Sequence, residues 1–169
     1  MRFSEHLQLA QTISRGSATM KSTWVVVADS TRARILKADN AVGPLSELET
    51  LVHPESRLHE RDLISDAPGR AFDRAGQGRH AMGQQVSPKE HEIEAFTRQV
   101  AERLDHAREN GELEQLIIVA PPSVLGKLRK ALPQEVSRLV TLEVDKNLTR
   151  LSPGEIRAHL PERLPPLPS

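Results

Sequence analysis

Apolar and polar residues follow a strand-like pattern in the first part of this chain. The run at 23–29 (TWVVVAD) has the β-branched composition of a buried strand, and 32–38 (RARILKA) follows it after a two-residue turn. A third run, 45–53 (LSELETLVH), alternates between apolar and polar positions. We therefore predict three consecutive strands, the first two joined as a hairpin.

The pattern then changes to helical spacing. Ser87 and Pro88 provide an N-cap and a proline at the first helical position, and Asn110-Gly111 provides a stop signal. This predicts a long amphipathic helix that packs one face on a sheet. Its apolar stripe consists of Ile93, Phe96, Val100, Leu104 and Ala107.

Two more strands and two more helices complete the pattern. The runs at 116–120 (LIIVA) and 139–144 (LVTLEV) predict strands, the first of them covered on both faces. Ser152 begins a last short helix. The apolar positions of the two helices are Val124, Leu125, Leu128 and Leu132 in the first, and Ile156 and Leu160 in the second.

The element order β-β-β-α-β-α-β-α defines the expected fold class. An antiparallel meander followed by right-handed crossovers gives a single α/β domain with a five-stranded mixed sheet in the order 3-2-1-4-5, as in ribonuclease-H-like folds. We predict that this domain covers residues 21–161. Residues 1–20 are expected to be an extension, either disordered or preceding the natural start, and 162–169 a proline-rich tail.

Composition removes several classes of protein. The chain has 169 residues and no Cys, which excludes disulfides, thiolate chemistry and Cys-ligated metals. Its basic and acidic residues are equal in number, which argues against bulk coating of DNA. Aromatic residues make up 2%, too few for a base-stacking surface. Without a run of 18 apolar residues or a secretory signal, we expect no membrane span and a cytoplasmic location. The oligomeric state stays open.

Candidate metal and cofactor sites are weak. Asp29, at the end of the first strand, stands where a metal-dependent nuclease of this fold would carry a carboxylate, but a role in capping the hairpin turn explains it better. His53, His59, His80 and His91 lack the close helical spacing of a zinc protease. No glycine-rich phosphate loop occurs. We therefore predict neither a metal nor a cofactor.

The strongest candidate for a binding site lies between the third strand and the long helix. Residues 69–83 combine glycines, which allow close backbone approach to a ligand, with three Arg against one Asp, a surplus suited to phosphate. The alternative is a flexible solvated linker. The predicted binding residues are Arg70, Asp73, Arg74, Gly76, Gln77, Gly78, Arg79 and His80.

Four motifs in order resemble a known family. They are WVVVADSTRARIL, VHPESRLHERDLISDAPGRAFDRAGQGRHAM, PKEHE and LIIVAPPSVLGKLRKAL. Together, over about residues 22–161, they resemble the bacterial host-attachment proteins, named as required for attachment to host cells. Asp29 and Arg32 lie in the first of these motifs, and Lys89 and His91 lie in PKEHE. These four residues are candidates for a structural or functional role.

The resemblance implies a fold similar to the middle domain of archaeal and eukaryotic peptide-chain release factors and of Pelota, and with it a ribosomal or RNA partner. Release factors carry Gly-Gly-Gln before the long helix; here Ala75 replaces the first Gly before Gly76-Gln77. We expect a non-enzymatic, translation-factor-like domain. Two alternatives stay open: a surface protein in host-cell attachment, and a hydrolase of a peptidyl-tRNA-like ester that acts through Gln77 or His80.

Overall fold

The computed structural model describes residues 22–53 and 87–166. The predicted extension at 1–20 and the Gly/Arg segment at 69–83 lie outside the described residues. The described residues form five strands and four helices. In chain order these are β1 (Thr23–Ala28), β2 (Arg32–Ala38), β3 (Leu45–Val52), α1 (Pro88–Glu109), β4 (Gln115–Val119), α2 (Pro122–Ala131), α3 (Gln134–Ser137), β5 (Val140–Val144) and α4 (Pro153–Ala158).

The five strands form one mixed sheet in the order β3-β2-β1-β4-β5, which confirms the predicted topology. Pairing is antiparallel between β1 and β2 and between β2 and β3, and parallel between β1 and β4 and between β4 and β5. All residues of β1 and β4 are buried. Strands covered on both faces read as continuous apolar runs, and this explains why the sequence pattern located both of them.

One face of the sheet is covered by α1 and α2. The Ser87 side chain accepts a hydrogen bond from the backbone N–H of Glu90, and the helix buries Phe96, Val100 and Leu104 against the sheet. Gly111 follows the helix with a φ of +75°, a conformation that an L side chain adopts only with strain. The stop signal and four of the five stripe positions are therefore confirmed, whereas Ile93 is only half-buried.

The other face is covered by α4 and the residues that follow it. Ile156 and Leu160 pack there with Leu164, which is only 2% exposed. The backbone N–H of Leu164 donates to the carbonyl of Ala41, and the carbonyl of Pro165 accepts a hydrogen bond from the Gln115 side chain. The predicted boundary at residue 162 stays a prediction; of the described residues beyond it, Leu164 packs in this second core.

The single-turn helix α3 was not predicted from the sequence. Pro133 ends α2 because a proline disfavours helical conformation in the residue before it, and Leu132 is indeed extended. The four residues of α3 bury only Val136, and one buried position shows no periodicity. This turn returns the chain to β5 on the far side of β4.

Candidate nucleic-acid interface at the carboxyl edge of the sheet

Four of the five strands run in the same direction and end at one edge of the sheet, which we call the carboxyl edge. The β1–β2 turn and the connections that follow β3, β4 and β5 all begin there. His53 follows β3 at this edge, and its ring lies edge-on to Phe96 of α1, with centroids 5.6 Å apart. The connection between β3 and α1, which contains the predicted binding segment, therefore leaves the described domain at the carboxyl edge.

Asp29 organises the turn between β1 and β2. Its Oδ1 atom accepts hydrogen bonds from the backbone N–H of Thr31 (2.7 Å), the Thr31 hydroxyl (2.8 Å) and the backbone N–H of Arg32 (2.9 Å). Its Oδ2 atom accepts from the Thr149 hydroxyl at 2.6 Å. An ionised carboxylate offers about four lone-pair sites. Three of the four donors meet Oδ1 and one meets Oδ2, which gives Asp29 the geometry of a turn cap.

The electrostatic state of Asp29 follows from these contacts. Burial alone raises the pKa of its carboxyl, but the hydrogen bonds from Thr149, Thr31 and Arg32 outweigh burial and hold the pKa below its ordinary value. Asp29 is therefore ionised at neutral pH. It acts as a fixed negative anchor for the turn.

Thr149 is the partner that sequence reasoning missed. It is 3% exposed and lies in the connection between β5 and α4, where the Asn147 side chain accepts from its backbone N–H at 3.3 Å. Its hydroxyl lies within hydrogen-bond distance of both Asp29 and Asn147. The Asn-x-Thr sequence is a local signal that indicates a turn. The contact between Thr149 and Asp29 spans 120 positions and produces no periodic pattern in the sequence.

Arg34, on β2, also contacts the β5–α4 connection. Its guanidinium donates to the backbone carbonyls of Thr149 and Leu151 and forms a two-pronged ion pair with Glu47 on β3. The ion pair raises the pKa of Arg34, and its hydrogen bonds lower the pKa of Glu47 despite partial burial. Two side chains, Asp29 and Arg34, thus fix the β5–α4 connection at the carboxyl edge.

Several cations are left free at this edge. No hydrogen bond or ion pair within the described ranges involves the side chains of Arg32, Lys89, Lys146 and Arg150. Arg32 begins β2, Lys89 lies in the first turn of α1, and the other two lie in the β5–α4 connection. Lys89, Lys146 and Arg150 are exposed. We call these four side chains the cationic fringe of the carboxyl edge; the exposed acids Glu90 and Asp145 adjoin two of them in sequence.

The remaining predicted residues divide into two groups. His91 is exposed in the first turn of α1, and His53 is buried against Phe96, so these two histidines do not share one environment. Within 22–53 and 87–166, no three His, Asp or Glu side chains cluster closely enough to hold a metal ion. The rest lie outside the described residues: Arg70, Asp73, Arg74, Gly76, Gln77, Gly78, Arg79 and His80.

The described part of the chain is thus a three-layer α/β domain built on one mixed sheet. Residues 24–160 match the model of a family described as "protein required for attachment to host cells". The chain belongs to this family. No curated protein gives a significant sequence match. In the described parts of the chain, no helix is long and apolar enough to cross a membrane.

Two of the solved structures similar to this chain are described as a translation termination factor and a translation termination-like factor. The archaeal translation termination factor aRF1 is 13% identical with a TM-score of 0.44, over 84% of this chain and 36% of its own. The Saccharomyces cerevisiae protein Dom34, described as a translation termination-like factor involved in RNA quality control pathways, is 10% identical with a TM-score of 0.39, over 85% of this chain and 34% of its own. The chain thus spans about a third of these proteins.

Proposed function

We propose that this protein is a non-enzymatic, cytoplasmic domain that binds RNA or a ribosomal partner at the carboxyl edge of its sheet. The binding surface has two parts. One is the Gly/Arg segment at 69–83, which belongs to the β3–α1 connection. The other is the set of free cations at the carboxyl edge, where that connection leaves and re-enters the domain. Phosphate groups are the ligands that such a surface suits.

One observation carries the proposal: the cationic fringe lies at the same edge as His53, from which the β3–α1 connection departs. Arg32 on β2 and Lys146 after β5 lie three strand spacings apart in the sheet order, or about 14 Å. In sequence, residues 69–83 add Arg70, Arg74 and Arg79 against one acid, Asp73. The chain as a whole is neutral, so this positive charge is local, as expected for a specific site.

Co-sedimentation with ribosomes tests the proposal, because the fold resembles that of release factors, although fold alone does not define function. We expect the wild type to sediment with ribosomes and R70A/R74A/R79A to sediment less, with an unchanged melting temperature. The matched control is R57A/R61A/R163A, which removes three arginines from outside 69–83. Equal losses for both variants, or a wild type that stays in the supernatant, would contradict the proposal.

The family description supports a second candidate, an interaction protein in host-cell attachment. That function requires the protein to reach the cell surface. Fractionation of cells with an antibody to the native protein separates the two candidates: a surface fraction supports attachment, and a ribosome-associated fraction supports RNA binding.

The Gly76-Gln77 pair supports a third candidate, a hydrolase of peptidyl-tRNA-like esters. In that case purified protein would hydrolyse the ester and release an amino acid from aminoacyl-tRNA or a peptide from peptidyl-tRNA. Q77A or H80A would abolish the release without lowering the melting temperature. An RNA-binding domain without catalysis would show no release above background.

A further inference from the structure

A groove of about 290 Å³ lies between α1 and α2, on the helical face of the domain. Three of its lining side chains are cationic and one is anionic. The six lining residues are Glu94, Thr97, Arg98, Lys127, Lys130 and Ala131.

The groove has more hydrogen-bond donors than acceptors. Lys127 pairs with the Glu94 carboxylate at 3.5 Å, which occupies the single acid. Arg98 reaches only the backbone carbonyl of Glu94, through Nε at 3.4 Å. Within the described residues no acceptor contacts the terminal nitrogens of Arg98 or the ammonium of Lys130. Arg98 and Lys130 are exposed, so these donors are available to an anionic ligand.

The lining favours phosphate over a protein segment. Protein interfaces are anchored by aromatic and large apolar side chains in desolvated pockets. Here the only fully apolar lining residue is Ala131, and Thr97 is buried with its hydroxyl donated to the Glu94 carbonyl. Contacts to a nucleic-acid backbone require only cations and polar donors.

Aromatic side chains do not supply a stacking surface in the described part of the chain. Trp24 and Phe96 are 3% and 1% exposed, and both belong to the core beneath α1 and α2. Proteins that hold single strands stack their bases on exposed aromatic rings, whereas double-stranded RNA is recognised by shape and by contacts to phosphates and 2′-hydroxyls. The described surface suits the second kind of ligand.

We propose that the groove, through Arg98 and Lys130, binds the phosphate backbone of double-stranded or folded RNA without reading its bases. This inference rests on the proposed function and specifies the feature of the RNA that is recognised. Arg98 lies 11 residues after Ser87, or about 16 Å along the helix. One strand of an RNA duplex therefore spans the distance from the groove to the carboxyl edge within several nucleotides.

The test measures the affinity of the full chain for a 20-base-pair RNA duplex and for one of its single strands at several salt concentrations. R98Q/K130Q should lower the slope of log affinity against log salt by about 1.4 to 1.8, the effect of two lost phosphate contacts. The matched control R138Q/R163Q removes two exposed arginines from outside the groove and should leave the slope unchanged. Thermal melting confirms that both variants fold.

The outcomes of these measurements separate a failure of the groove inference from a failure of the proposed function. Equal slope changes in both variants, or tighter binding of the single strand than of the duplex, overturns the groove inference alone. A wild type that binds neither RNA and does not sediment with ribosomes overturns the proposed function as well. Binding of an acidic peptide with no RNA binding replaces RNA with a protein partner and overturns the groove inference, and it overturns the proposed function as well if the protein does not sediment with ribosomes.

Discussion

The hydroxyl of Thr149 lies 2.6 Å from Oδ2 of Asp29, although 120 positions separate the two residues. This contact joins the β1–β2 turn to the β5–α4 connection, two of the segments that form the carboxyl edge. Because Thr149 is buried, water has little access to its hydroxyl. The hydrogen bond to the carboxylate therefore meets little competition from water. The geometry of the candidate interface therefore depends on a polar contact in addition to the apolar core.

Replacing Thr149 with Val should lower the free energy of unfolding by about 1.5 to 3 kcal/mol, because it removes a buried donor to a charged acceptor while keeping the side-chain shape. Urea unfolding of T149V, D29N and the double variant checks this. If the contact exists, the two single effects are not additive, with a coupling of about 0.5 to 3 kcal/mol. Additive effects would mean that the residues act independently.

The same contact predicts a pH dependence. The pKa of Asp29 is below its ordinary value in the folded protein, so its ionised form contributes stability at pH values above the unfolded pKa of about 3.9. That contribution is lost as the pH falls through the folded pKa. D29N should therefore be less stable than the wild type at pH 7, and the difference should shrink below about pH 4. A constant difference from pH 7 to pH 2 would contradict the assignment.

Phe96 should be one of the most sensitive positions in the core. It is 1% exposed and supports the ring of His53 as well as the sheet. F96A should cost about 3 to 5 kcal/mol, and the milder F96L should cost less. Denaturant unfolding measures both changes. Variants with near-wild-type stability would show that α1 is rotated from its described packing.

Gly111 and Gly126 form a matched pair for backbone strain. An added Cβ meets nothing within 4 Å at either position, but only Gly111 has a positive φ. G111A should cost about 1 to 2 kcal/mol, whereas G126A, inside α2, should stabilise the protein by about 0.4 to 1 kcal/mol. Melting temperatures of the two variants should therefore shift in opposite directions. Shifts of the same sign would refute the described end of α1.

Leu164 tests the extent of the domain. Because its side chain lies in the second core, L164A should cost about 2 to 5 kcal/mol. Deleting residues 162–169 should destabilise the protein at least as much. An unchanged free energy of unfolding after deletion of 162–169 would support the predicted tail at these residues.

The sequence predicted the parts of the fold that depend on local repetition. The apolar runs of β1 and β4 and the stripe of α1 located their elements within a residue or two, and the crossover rules then determined the strand order. It did not predict α3 or the packing of Leu164, because a single buried residue carries no period.

The candidate site was harder to predict for a related reason. Asp29 was assigned to the turn because a carboxylate beside Ser and Thr is a local signal, and the hydrogen bonds agree. Thr149 and Arg34 join segments that are distant in sequence, and such contacts are visible only once the sheet is assembled. The Gly/Arg segment at 69–83 remains a prediction from composition.

The central position of β1 also affects how a newly synthesised chain reaches this fold. β1 emerges first and pairs with β2 at once, but its other edge must wait for β4, and Ser22 and Glu114, which hydrogen-bond at that junction, are 92 positions apart. Closing so long a loop slows folding, and an unpaired apolar strand edge invites association with other chains. During translation β1 is therefore the inner strand of the sheet that waits longest for its second partner.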